Sequence, residues 1–155
     1  ELERLPWVRR AAVRRVWPDR LQVRIEEHVA LARWGNQGLV DTEGERFSAE
    51  SDAKLPIFVG PPGSEAELAR RYASFSRIVA PLGSRIERIT LSERRAWQLA
   101  LASGLELVLG RDADVAEARL ARFVGACDSL PSGAPGGGAL VDLRYANGFT
   151  LRVKG

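Results

Sequence analysis

Apolar and polar positions alternate most cleanly at the two ends of the chain. Near the C-terminus Phe149, Leu151 and Val153 alternate with Thr150, Arg152 and Lys154, the period of a half-buried strand. Asn147-Gly148 precedes that run, and both residues tolerate the positive φ of a type I′ turn, so Leu140 to Lys154 reads as a closing β-hairpin. Its last strand is expected at a sheet edge, where unpaired N–H and C=O groups can accept a strand from another chain. Near the N-terminus Glu1 to Leu5 reads as a last helical turn stopped by Pro6. Trp7 to Trp17 reads as an irregular strand, Pro18-Asp19-Arg20 as a turn, and Leu21, Val23 and Ile25 as the apolar side of a partner strand.

Between these hairpins the period changes. Leu39-Val40 and Arg46-Phe47-Ser48 suggest short strands around a turn-rich connection, and Leu55 to Val59 an edge segment, because Pro56 cannot donate to a ladder. Ser64-Glu65-Ala66-Glu67 matches a capping box, after which Leu68, Tyr72, Phe75, Val79 and Leu82 recur at helical spacing. Ile86–Leu91, Trp97–Leu101 and Leu105–Leu109 read as strands, the last two joined at Ser103-Gly104. A second helix follows, with Ala116, Leu120, Phe123 and Cys127 on one face. The fold class is therefore α+β: a hairpin, then a mostly antiparallel sheet with two helices and a C-terminal edge strand. The change of style near Ala32–Gly35 puts a domain boundary there.

Composition narrows the function classes. The 155 residues suit one ordinary domain or a small one plus part of another. No methionine is present, so the chain is expected to be a piece of a longer polypeptide. No run approaches the ~20 apolar residues of a membrane-spanning helix. Cys127 is the only cysteine and His28 the only histidine, which excludes an internal disulfide, a cysteine cluster for zinc and a histidine pair for a metal. The net charge of +3 is mild.

Candidate chemistry is thin. Arg9, Arg10, Arg14 and Arg15 between Trp7 and Trp17 could form a nucleic-acid stripe, but Asp19, Glu26 and Glu27 among them favour a solvated hairpin face. His28 is expected to be structural. Ser132 to Ala139 is rich in glycine, yet no Lys-Ser or Lys-Thr follows and it leads into a strand, so it reads as a linker rather than a phosphate loop. Asp112/Asp114 and Glu65/Glu67 fall at predicted helix starts and suit the positive end of the dipole. No cofactor, no metal and no enzymatic activity are expected.

Seven segments, in this order, carry a resemblance. They are Leu5-Pro6-Trp7-Val8, Trp17-Pro18-Asp19-Arg20-Leu21, Glu27-His28-Val29-Ala30-Leu31-Ala32-Arg33-Trp34 and Arg94-Arg95-Ala96-Trp97-Gln98-Leu99. To these add Leu109-Gly110-Arg111, Arg119-Leu120-Ala121-Arg122-Phe123-Val124 and Val141-Asp142-Leu143-Arg144-Tyr145-Ala146-Asn147-Gly148. Each is weak alone, and together they resemble FtsQ, the division-protein family of the Gram-negative inner membrane. The resemblance implies that residues 1–33 are the C-terminal part of a POTRA domain and 34–155 the β domain. It implies a non-enzymatic divisome scaffold, anchored by a single upstream helix, with this part in the periplasm at the septum.

The partners implied are FtsB and FtsL, with other divisome proteins through POTRA and no nucleic acid. The implied mechanism is β-augmentation, a strand of FtsB adding to the last strand while a preceding FtsB helix packs nearby. The resemblance places the partner site on Arg94, Arg95, Arg144, Tyr145, Ala146, Asn147, Gly148, Phe149, Thr150, Leu151, Arg152 and Val153. Tyr145 would be an aromatic anchor, and Arg94 and Arg144 would pair with carboxylates of the partner. The regular, β-prone ending departs from the small-residue ending with a downstream Trp of some relatives. Another POTRA-type assembly or transport module is the alternative reading.

Overall fold

A computed structural model describes residues 1–129, 135 and 137–153. A 3₁₀ turn at Leu2–Arg4 leads into β1 (Val8–Val16), which pairs antiparallel with β2 (Arg20–Glu27) in a separate two-stranded sheet. The irregularity expected in the first strand is a register shift between Val8 and Arg10. After His28-Val29 the chain enters a second sheet through β3 (Ala30–Trp34), β4 (Leu39–Asp41), β5 (Arg46–Phe47) and β6 (Ile57–Val59). The sheet continues with β7 (Ile86–Leu91), β8 (Trp97–Leu101), β9 (Glu106–Gly110), β10 (Ala139–Asp142) and β11 (Thr150–Val153). Among the described residues its order is β11-β10-β9-β8-β7-β6-β3-β4-β5. Most neighbours are antiparallel; β3–β6, β6–β7 and β9–β10 are parallel.

All three parallel pairs require crossovers; the two helices supply two of them, and β4 and β5 lie within the third, from β3 to β6. The helix α1 (Glu65–Val79) links β6 to β7, and α2 (Ala113–Asp128) links β9 to β10. Both cover one face of the sheet. Ile89, Leu91, Trp97, Leu99, Leu107, Leu109 and Val141 meet Leu68, Phe75, Val79, Leu120 and Phe123 in a single core. Phe75 packs edge-on to Trp97 with centroids 5.7 Å apart. Arg71 ties the helices together through Asp114 at 3.0 Å and Glu117 at 2.7 Å. Cys127 is buried in this core, which pushes its thiol pKa up, and it serves as a small hydrophobe as expected. The mixed α/β content, with two helices and a large, mostly antiparallel sheet, agrees with the fold class read from the sequence.

Four local expectations are corrected. The strand β6 is central, not an edge, because Pro56 lies just before it and contributes only its carbonyl, which accepts the Arg33 N–H at 2.9 Å. Ser64 does not cap α1 through its side chain: its buried Oγ donates to the Pro61 carbonyl at 2.6 Å. Asn147-Gly148 forms no type I′ turn, since neither residue has a positive φ and the strands it should join end at Asp142 and restart at Thr150. Finally, Leu151 and Val153 do not sit on a half-buried face but remain 52% and 71% exposed. The point between residues 33 and 34 falls inside β3, not between elements. In the glycine-rich run, residues 132–134 and 136 lie outside the described residues, as do 154 and 155.

Candidate functional site

The last strand is the end of the large sheet. Ala139, Leu140, Val141 and Asp142 of β10 pair with Val153, Arg152, Leu151 and Thr150, and among the described residues no strand pairs with the outer side of β11. Paired residues of an antiparallel ladder share a face. Leu151 therefore lies on the side of buried Val141, and Val153 on the side of Ala139, beyond the cover of α2. The result is a short edge with free backbone groups and an uncovered apolar row.

The connection from Leu143 to Phe149 is held by four devices. Leu143 is buried, and its N–H donates to the Val108 carbonyl at 2.9 Å, prolonging the β9–β10 ladder. Arg144 folds back onto Asp142, its Nε donating to Oδ1 at 2.9 Å and Oδ2 at 3.1 Å, while the Arg144 N–H donates to Oδ1 at 3.0 Å. The guanidinium holds the Asp142 carboxyl below the usual carboxylate range, and the carboxylate raises Arg144 in turn. From α2, Arg122 donates to the Ala146 carbonyl at 2.8 Å and the Tyr145 carbonyl at 3.3 Å. Phe149 then packs edge-on to Phe123, with centroids 5.1 Å apart at 88°.

Arg122 escaped the sequence reading because an arginine on the polar side of a helix looks solvated. No signal in the sequence marks it, since adjacent helix positions do not share a face and core Phe123 beside it does not aim it at the loop.

The two arginine sites fall at one end of the sheet. Trp97 is opposite Gly110 and Leu91, so the turn Ser92–Ala96 lies beside the C-terminal end of β9, where Arg144 also lies. Gly110 has φ 94°, and a Cβ there would come within 3.1 Å of Arg119 Nη1 and 3.4 Å of Arg144 Cγ. Its missing side chain lets both arginines cross the sheet end. Arg94 is exposed, and among the described residues its guanidinium has no hydrogen bond or ion pair. Arg95, at φ 65°, is paired with Glu67 of α1 instead. Tyr145, Ala146 and Asn147 are exposed, with Tyr145 at 54%, and Gly148 is partly covered. Thr150 and Arg152 point to the face opposite the helices, beside Asp142 and Leu140. Beside this connection, Val115, Ala118, Arg119, Arg122, Asp114 and Ala146 line an open groove of about 520 Å³.

At the opposite side of the molecule Arg9 pairs with Glu45 rather than facing solvent freely, and His28 contacts Asp41. That leaves Arg9 neutralised within the hairpin face and gives the lone histidine the structural role anticipated for it.

A β-hairpin joined to a helix-backed mixed sheet with a terminal edge strand has the two-part architecture of a POTRA element followed by a β domain. Comparison with known families agrees: residues 1–28 match the POTRA domain, FtsQ-type, and residues 32–144 match Cell division protein FtsQ/DivIB, C-terminal. The chain belongs to the FtsQ/DivIB family of cell division proteins. It is 44% identical over 99% of its length to Cell division protein FtsQ of Burkholderia pseudomallei, and 45% identical over 97% to that of Nitrosospira multiformis. It covers 63% of each of those relatives. The Escherichia coli protein of that name is 37% identical over 96% of this chain, which covers 56% of it.

Proposed function

We propose that this chain is the partner-binding part of a non-enzymatic division scaffold, and that it binds the periplasmic region of FtsB, together with FtsL, by strand addition to β11. In this reading residues 1–33 belong to a POTRA domain that contacts other divisome proteins, and 34–155 form the β domain. An upstream helix anchors the whole protein in the inner membrane at the septum.

The observation that carries the reading is the state of β11: an unpaired outer side in the described residues, with Leu151 and Val153 exposed next to it. Backbone pairing supplies about 0.5–1.5 kcal/mol net per hydrogen bond and little selectivity. Selectivity then rests on side chains at the same end of the sheet. Tyr145 offers an exposed aromatic anchor, and Arg94 an exposed cation, unpaired among the described residues, for a partner carboxylate. Arg144 serves mainly to hold the connection through Asp142, a narrower role than direct pairing with the partner. The α2 groove next to Ala146 is the natural seat for an FtsB helix that precedes the added strand.

The test is a titration of a peptide from the FtsB periplasmic region into the chain. Tyr145→Ala and Arg94→Glu are each expected to weaken binding by about tenfold or more, the range of a hot-spot truncation, with native circular dichroism. Unchanged affinity in both would refute the site assignment.

A further inference from the structure

The two sheets are joined by only two residues, His28 and Val29, between the end of β2 and the start of β3. Modules joined by a short link with a small contact move relative to one another unless something holds them. Here the contact is built around one buried charge. The Asp41 side chain is 1% exposed, and a carboxylate so placed needs compensating partners. Its Oδ1 accepts the N–H groups of Glu43 at 3.0 Å and Glu45 at 2.7 Å, both in its own turn. Its Oδ2 lies 2.7 Å from His28 Nδ1, which a carboxylate acceptor leaves protonated.

The remaining compensation comes from the hairpin. Arg9 of β1 donates bidentately to Glu45, from Nε at 3.1 Å and Nη2 at 2.8 Å, and its Nε stands 3.9 Å from Asp41 Oδ2. The aromatic rings close the same place: Trp7 is edge-on to Phe47 at 5.2 Å, and Phe47 stacks on His28 at 4.3 Å with 3° between planes. Backbone bonds run from the His28 N–H to the Trp7 carbonyl at 2.8 Å and from the Thr42 N–H to the Val29 carbonyl at 3.0 Å. His28, Asp41 and Glu45 have ligand atoms within 4.8 Å of one another, the spacing of a metal site. Arg9 already neutralises that spot, and a metal ion would have to displace its guanidinium.

We propose that this network is a latch that fixes the β1–β2 hairpin at one orientation on the nine-stranded sheet. Swinging the hairpin away removes Arg9 from Glu45 and Asp41 and breaks the edge-on contact of Trp7 with Phe47, so the closed arrangement alone keeps these contacts. The latch lies at the far side of the sheet from β11 and is independent of what β11 binds.

The test is a distance distribution by double electron–electron resonance between spin labels at Arg14→Cys and Glu87→Cys, in a Cys127→Ala background. The parent should give one narrow distribution. Arg9→Ala and Asp41→Asn should each widen it about twofold or split it, while Arg144→Ala at the other edge leaves it unchanged. Should Asp41→Asn fail to fold, Glu45→Gln at an exposed side chain decides together with Arg9→Ala. An unchanged width in Arg9→Ala with a normal melting curve, or equal widening by Arg144→Ala, overturns the latch.

Discussion

Asp142 and Arg144 form the smallest unit on which the C-terminal edge depends. Two residues apart, they are brought together because the chain leaves β10 after Asp142 and bends back, so the guanidinium reaches both carboxylate oxygens. The folded-state pKa of Asp142 is depressed, chiefly by this hydrogen-bonded pairing. A depressed carboxylate contributes stability that is present above its unfolded-state pKa and lost as pH falls through the folded value. Carboxyl-carbon NMR titration should therefore place Asp142 below ordinary aspartates, and Arg144→Ala should move its midpoint upward. No upward movement would mean that the pairing does not hold in solution. The sequence shows both residues but not their pairing, since an Asp and an Arg two apart on a regular strand would share a face without closing this ring. The roles proposed for Tyr145 and Arg94 rest on family resemblance, because exposed side chains leave no periodic trace in the sequence.

At the scale of elements, the helices were the clearest part of the sequence and their starts the least even. Asp112 caps α2, its Oδ1 accepting the N–H groups of Asp114 at 3.0 Å and Val115 at 3.1 Å. Asp112→Ala should cost about 1 kcal/mol in denaturant unfolding, with no change in the slope of the transition. A null effect would mean that water replaces the cap at no loss. The capping-box pattern at Ser64 misled, because burial turned its hydroxyl toward Pro61. Pro56 misled for a related reason: a proline next to a strand says nothing about the strand's neighbours. The strands themselves were visible as alternation. Their order was not, since β9–β10 and β6–β7 pair in parallel through crossovers whose partners no local pattern names. At Leu151 and Val153 the alternation was correct and the burial was not, because cover depends on where α2 ends across the sheet.

Across the whole molecule, the two features of interest sit at opposite ends of one sheet. The β5 side meets the hairpin through Asp41, Arg9 and the Trp7–Phe47–His28 rings; the β11 side presents an edge. A continuous helix-backed core lies between them, which gives the proposed scaffold a rigid spacing between its arms. Docking on β11, as proposed, is read out by amide hydrogen exchange at Thr150–Val153. In the free chain the amides of β11 that point away from β10 should exchange as exposed groups. Adding the FtsB periplasmic peptide should slow those amides by about tenfold or more, as expected when a ladder forms on both sides of a strand. Binding of the peptide with exchange at Thr150–Val153 unchanged would contradict strand addition.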